Sequence, residues 1–304
     1  MTRPALAVLA LALNALVWGL SWFPLRALDA QGLHPLWATA AVFTLATIVL
    51  SLICPSGWTH FRQHPQLYWL MAVSGLTNVG FNWAVTTGDV VRVVLLFYLM
   101  PTWSLLLAWW LLDERPTRGA LMRLSLTLVG MVLVLTTPAS PWPLPQDLAD
   151  VLALLAGFCF ALTNIWLLRL QHTPESSRMV AMFAGGAWMA IACALLASTL
   201  SVIPPFFASP LENANLSVLT SWAPWVLGLS AAFLLSNFSL QYGAARLSAH
   251  TTAMVMMSEV VFASVSSVAL GASVLTWRVA LGGGMIVLTA LLASRAHTTQ
   301  ETHK

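Results

Sequence analysis

Almost no charge lies inside the long apolar runs of this sequence, so the few polar side chains found there are the ones able to do chemistry. Glu259 is the one acidic residue near the centre of such a run. At mid-bilayer an ionised carboxylate costs roughly 2.5–3.5 kcal/mol even on a lenient insertion scale, so it must be paired, hydrated or protonated. Two readings follow: a neutral Glu259 hydrogen-bonded to a neighbouring helix, or a carboxyl that handles a proton or an amine. Arg246 sits near the end of the preceding run, far for a partner.

Amides form the second group. Asn78 and Asn82 are four residues apart and share a helix face with Ser74, and Asn237 and Gln241 repeat that spacing. An amide both donates and accepts, which suits the zwitterionic end of an amino acid. The competing reading is interhelical glue, worth about 0.6 kcal/mol on average. Asn14, Trp18, Ser21 and Trp22 fall on one helical stripe, Tyr98 and Thr102 add hydroxyls one turn apart, and Asn164 and Trp188 complete the candidate binding set. Most of the 15 tryptophans lie near the ends of apolar runs, as an interfacial belt predicts. Trp18, Trp103 and Trp188 lie near run centres, where they either pack the core or line a cavity for a bulky apolar group.

These residues must be carried on membrane-spanning helices. Of 304 residues, 59% are hydrophobic and 8% charged, against roughly 25% charged in a soluble domain. The mean hydropathy is +0.83. With about 20 apolar residues per span and a short loop between spans, the chain has room for about ten helices and no sizeable soluble domain. Apolar runs between breaks place them near 5–26, 35–53, 67–87, 92–112, 119–137, 150–169, 179–200, 223–243, 250–270 and 278–294. The first run is too long for a cleaved signal and reads as a retained helix.

Composition excludes several chemistries. The only lysine is Lys304, so neither a phosphate loop ending in Lys nor a buried Schiff base is available. Cys54, Cys159 and Cys193 are widely spaced and no HExxH pair occurs, so neither a metal site nor a disulfide is expected. The net charge of +3 comes from residues at the ends of apolar runs, which suits membrane orientation and not nucleic acid.

Placing the N-terminus inside puts Arg3, Arg62, Arg115, Arg118, Arg123, Arg169, Arg178, Arg246, Arg295 and Lys304 on the inner side, with Arg26, Arg92 and Arg278 outside. That bias predicts both termini in the cytoplasm. The Pro-rich stretch at 138–149 separates two blocks of five spans, 1–137 and 150–294, followed by a tail at 295–304. The two halves are weakly alike: Leu76-Thr77-Asn78-Val79-Gly80-Phe81-Asn82-Trp83-Ala84 aligns with Leu235-Ser236-Asn237-Phe238-Ser239-Leu240-Gln241-Tyr242-Gly243. The offset of 159 continues without a gap, setting Pro101 over Val260 and Met100 over Glu259. Five is odd, so the second unit enters from the opposite side, and two inverted five-helix repeats are the expected all-α fold.

Val17-Trp18-Gly19-Leu20-Ser21-Trp22-Phe23-Pro24 and the stretch from Met100-Pro101 to Glu114-Arg115-Pro116 resemble the EamA-type drug/metabolite transporters, as does Gln241-Tyr242-Gly243-Ala244-Ala245-Arg246-Leu247-Ser248-Ala249. The resemblance covers essentially the whole chain. It implies ten helices around a central cavity, export of amino acids or other small metabolites across a bacterial inner membrane, and no cofactor. The sequence departs from that pattern after Pro35, where an Arg is absent, at Val260, where a Pro is usual, and at Ser273, where a Glu would stand.

The expected partners are a small-molecule substrate and the lipid bilayer, with no nucleic acid, and the protein is expected to be a monomer or homodimer. An uptake carrier is the alternative, because inverted repeats run both ways. An intramembrane enzyme would need a nucleophile and base, for which Ser230 and His250 are the nearest candidates, with nothing in the sequence to bring them together. A sensor or assembly factor would need an output domain, and the residues after Ala293 are too few for one.

Overall fold

The computed structural model describes residues 3–112, 117–136, 144–204, 216–247 and 249–301. Among these residues every regular element is helical. In chain order the α-helices are α1 (Arg3–Leu20), α2 (Trp22–Ala30), α3 (Pro35–Ile53), α4 (Gln66–Thr87), α5 (Val90–Phe97), α6 (Met100–Leu112) and α7 (Arg118–Leu135), then α8 (Leu148–Arg169), α9 (Glu175–Thr199), α10 (Leu216–Ala244), α11 (Ala249–Met256), α12 (Ser258–Ala269) and α13 (Trp277–Glu301).

Seven helical segments among the described residues are long and apolar enough to cross a bilayer: Ala5–Ala30, Pro35–Ile53, Val90–Leu107, Arg118–Leu135, Leu148–Arg169, Glu175–Thr199 and Thr220–Ala244. The other three expected spans differ for physical reasons. α4 has the length, at 22 residues, but carries Ser74, Thr77, Asn78, Asn82, Thr86 and Thr87. The span expected at 250–270 is split into α11 and α12, and the apolar part of α13 is short, Trp277–Thr289. Helix α13 also runs on to Glu301, through most of the stretch expected to be a tail. The linker at 138–143 lies outside the described residues.

Helix ends follow local chemistry. Pro35 opens α3 behind His34, whose Nδ1 accepts from the Leu36 N–H at 3.2 Å. Burial holds that imidazole below its ordinary pKa, which favours the neutral, accepting form. Asp89, Thr117 and Asp147 cap α5, α7 and α8 by accepting from Arg92, Ala120 and Asp150 N–H groups. Pro24 has no N–H for the Leu20 carbonyl, and the chain steps at Ser21 between α1 and α2, where the Ser21 N–H and hydroxyl both turn to Trp18 O.

Helices from the two ends of the chain interleave. α4 packs between α8 and α9, α3 lies against α9 and α10, α7 against α13, and α1 against α10, α11 and α12. One buried cluster of apolar side chains runs through both groups, from Trp22, Phe43 and Phe81 to Phe183, Phe233 and Ile286. One end of the bundle is tied by charge. Arg92 makes a bidentate pair with Asp150, both contacts at 2.7 Å, and donates to the Val134 carbonyl at 2.6 Å. Asp150 also accepts from the Gln146 N–H, so α5, α7 and α8 meet on one ion pair. Nearby, Arg26 donates to the carbonyls of Val85 and Gly88, which finish α4.

Candidate functional site

Two interrupted helices face each other in the middle of the bundle. The run expected to be one span at 92–112 breaks between α5 and α6, because Pro101 offers no N–H to Phe97 O, four residues before it. That carbonyl lies over α8, where a Cβ on Gly157 would come within 2.7 Å of it. The second break, between α11 and α12, falls at Met257, which is Tyr98 plus the repeat offset of 159. No proline is present there. The Val260 N–H bonds instead to Met257 O at 3.2 Å, and Met256 O, the counterpart of Phe97 O, accepts from the Tyr98 hydroxyl at 3.3 Å. The helix is thus interrupted without a proline, with a hydroxyl from the other break bonded to the freed carbonyl.

Glu259 sits one residue into α12 at 7% exposure, and its Oε2 accepts from the Tyr98 hydroxyl at 3.0 Å. Asn14 of α1, 1% exposed, donates to Met256 Sδ at 3.2 Å and accepts from the Ser236 hydroxyl at 2.6 Å. Asn14, Ser236, Met256, Tyr98 and Glu259 therefore form a chain of polar contacts across four helices and one helix break. Gly19 sets the approach of α1 to α12: a Cβ there would lie 2.8 Å from Phe262 Cβ and 2.9 Å from the Glu259 carbonyl. An aromatic wall adjoins this polar chain. Trp18 stacks on Phe233 at 4.5 Å and meets Phe81 edge-on at 6.2 Å, Phe81 meets Phe97 at 4.8 Å, and Phe97 meets Tyr98 at 6.0 Å.

The other candidates separate. Trp22 is buried and donates to Ser266 Oγ at 3.0 Å, and Thr102 is buried at the start of α6. Asn82 is 0% exposed and donates to Thr39 Oγ1 at 3.3 Å, while its Oδ1 has no hydrogen-bond partner among the described residues. Asn78 turns back on its own helix, donating to Ser74 O at 2.9 Å. Gln241 and Asn237 bond to each other at 2.8 Å. The two amide pairs therefore do not converge as their shared spacing suggested. Asn164 is exposed on α8, and Trp188 is 60% exposed on α9, so central placement in a run did not put either one against the polar chain.

Ser230 donates to Val42 and Val226 carbonyls, holding α10 to α3. The side chain of His250, and the turn with Asp113, Glu114 and Arg115, lie outside the described residues. A groove of about 300 Å³ on α3, lined by Trp37, Ala40, Ala41, Thr44, Leu45 and Ile48, includes none of the candidate residues.

Sequence reasoning missed Ser236, Met256, Phe81 and Phe233. Ser236 was visible as the neighbour of Asn237 in the repeat alignment. One residue turns the helix by about 100°, and the buried face of α10 carries Phe233 and Ser236 while Asn237 is half-buried.

Apolar helices long enough to span a bilayer, packed around paired helix breaks with a buried carboxyl, define an all-α, multi-pass membrane protein. Residues 5–136 match the EamA-like transporter family, which bears out over that part of the chain the resemblance read from the sequence. A crystal structure of a protein 18% identical in sequence superposes with a TM-score of 0.54, covering 94% of this chain and 96% of its own; at that identity the likeness shows the fold alone. No curated protein matches the chain.

Proposed function

We propose that the protein is a secondary carrier that exports small metabolites, amino acids being the class the family resemblance implies, across the bacterial inner membrane by alternating access between two inverted five-helix units. The observation that carries this reading is the pair of breaks, α5/α6 and α11/α12, at positions related by the repeat offset of 159 and joined through Tyr98, Met256 and Glu259. Interrupted helices at matching positions of two halves mark the midplane site in many carriers, because irregular backbone at that depth is tolerated only where protein or a cavity supports it. The site comprises Asn14, Trp18, Tyr98 and Glu259, with Asn82 as an outlying acceptor. An uptake carrier would use the same parts.

Counterflow in proteoliposomes, using a panel of radiolabelled amino acids and small amphiphiles, tests the carrier reading. Asn82→Leu separates site from glue: removing a buried amide with an unpartnered oxygen is expected to abolish counterflow while leaving the melting temperature near that of the parent. Equal loss of stability and transport would assign Asn82 to helix packing.

The orientation, with both termini cytoplasmic, is supported by the ten-to-three distribution of basic residues. A reporter active only in the periplasm is expected to work when fused within 138–146 and to fail when fused after Arg295. The reverse pattern would overturn the orientation, and two fusions reporting on the same side would overturn the inverted arrangement.

A further inference from the structure

At one end of the bundle α4 and α8 meet on a pair of rings. Trp69 of α4 and Trp166 of α8 lie parallel, with an interplanar angle of 6° and centroids 6.4 Å apart. The Arg169 guanidinium sits 5.3 Å from the centroid of the Trp166 ring. Trp69 is 62% exposed and Arg169 is exposed as well. None of the three takes part in the candidate site.

From these rings a shallow furrow runs along the two helices. On α8, Leu148, Val151, Leu155, Leu162, Trp166 and Arg169 follow one another at three, four or seven residues and so share one helix face. Leu148, Val151 and Leu155 are exposed. On α4, Trp69, Leu76 and Trp83 recur every seven residues, the first two exposed and the third half-buried. Between these ridges the backbones close up, since a Cβ on Gly80 would lie 3.1 Å from the Leu152 carbonyl. From Arg169 to Leu155 the α8 face runs for about 21 Å, longer than the roughly 15 Å that one leaflet of hydrocarbon takes. Charge gathers at the ring end: residues 54–68 and 166–178 hold three arginines and three histidines against one acid, Glu175.

We infer that the α4/α8 furrow holds an anionic phospholipid, with its phosphate on Arg169 and an acyl chain along the exposed face of α8. A ring beneath a guanidinium fixes its plane while the N–H groups project from the edge, the arrangement that takes a phosphate bidentately. Tryptophan favours the level where headgroups meet tails, so the ring pair sets the depth. The proposed orientation puts this end in the cytoplasmic leaflet, where basic residues beside spanning helices attract anionic headgroups. A second copy related by a two-fold axis along the membrane normal would bring the same cations together at one depth, which disfavours it as the occupant. The inference goes beyond the carrier reading and requires only that these helices lie in a bilayer.

Lipid titration of the purified full-length protein in detergent, read by native mass spectrometry, tests the inference without any transport measurement. The probes are phosphatidylglycerol, phosphatidylcholine with the same chains, and glycerol 3-phosphate, which has the phosphate and no chain. Phosphatidylglycerol is expected to bind on the order of 10-fold more tightly than phosphatidylcholine, and glycerol 3-phosphate to give no bound species at the same concentrations. Arg169→Gln is expected to cut the preference to about twofold, and Arg169→Lys, which keeps the charge and loses the planar fork, to retain part of it. Arg123→Gln, which removes a basic side chain of α7, is expected to leave the preference unchanged. Equal binding of the two lipids by the parent protein overturns the inference. So does a preference that survives Arg169→Gln, or one that falls as far in Arg123→Gln. Glycerol 3-phosphate binding as tightly as phosphatidylglycerol would make this a site for a free phosphate ester, and a parent found only as a dimer without bound lipid would give the furrow to a second copy; either result overturns the lipid assignment.

Discussion

Replacing Asp150 by Asn is expected to destabilise the protein by about 3–5 kcal/mol, the range for breaking one side of a buried ion pair. Asp150 is 1% exposed and takes both contacts from Arg92 at 2.7 Å. Without its charge, the guanidinium stays in an interior where the Val134 and Leu135 carbonyls supply dipoles but no counter-charge. The same carboxylate accepts from the Gln146 N–H and so fixes the entry to α8. The double variant Arg92→Met/Asp150→Leu, which removes both charges and keeps apolar volume, is expected to recover most of the loss. Melting in detergent, followed by loss of monodispersity, is the measurement. If Asp150→Asn melts within a degree or two of the parent, the pair is solvated and does not hold α5, α7 and α8 together.

How far the sequence could be read follows from what a bilayer does to hydropathy. Lipid tails and a packed core are equally apolar, so a spanning helix shows its length and depth in sequence but hardly shows which face turns inward. Helix positions were accordingly legible: the runs at 35–53 and 150–169 fall on α3 and α8 nearly residue for residue. Facing was not. Trp188 lies at mid-helix yet is largely exposed, and the spacing of Asn237 and Gln241 placed them correctly on one face without showing that they would bond to each other.

Glu259 could be singled out because charge inside an apolar run is expensive whichever way it faces. Its partner could not. Tyr98 is 161 residues away, and only the packing of the two breaks brings the pair together. Val260 is instructive in the same way. It aligns with Pro101 and is not a proline, yet the span expected at 250–270 is interrupted beside it, and the freed Met256 carbonyl finds its donor in the other half of the chain.

Glu259→Gln is expected to abolish accumulation driven by a pH gradient while substrate counterflow persists at a higher half-saturating concentration. The glutamine keeps the length of the side chain and an oxygen able to accept from the Tyr98 hydroxyl, so the contact between the two breaks can survive. What it loses is the ability to exchange a proton. Coupling requires the charged and neutral forms of one group to be favoured in different access states, because an ion or ligand shifts a two-state equilibrium only through its differential affinity for the two. Among the described residues no other acidic side chain is buried at this depth, Asp150 being committed to Arg92 at the end of the bundle. With the amide in place, empty and loaded carriers hold the same protein charge, and a gradient of protons has nothing to act on. Exchange of one substrate molecule for another needs no net proton movement and therefore continues, weakened because a dipole replaces a charge opposite the solute. Transport assays with and without an imposed pH gradient, in vesicles loaded or unloaded with substrate, separate the two activities. Unchanged gradient dependence in the variant would show that Glu259 serves only as the hydrogen-bond acceptor that fastens Tyr98 between the two breaks.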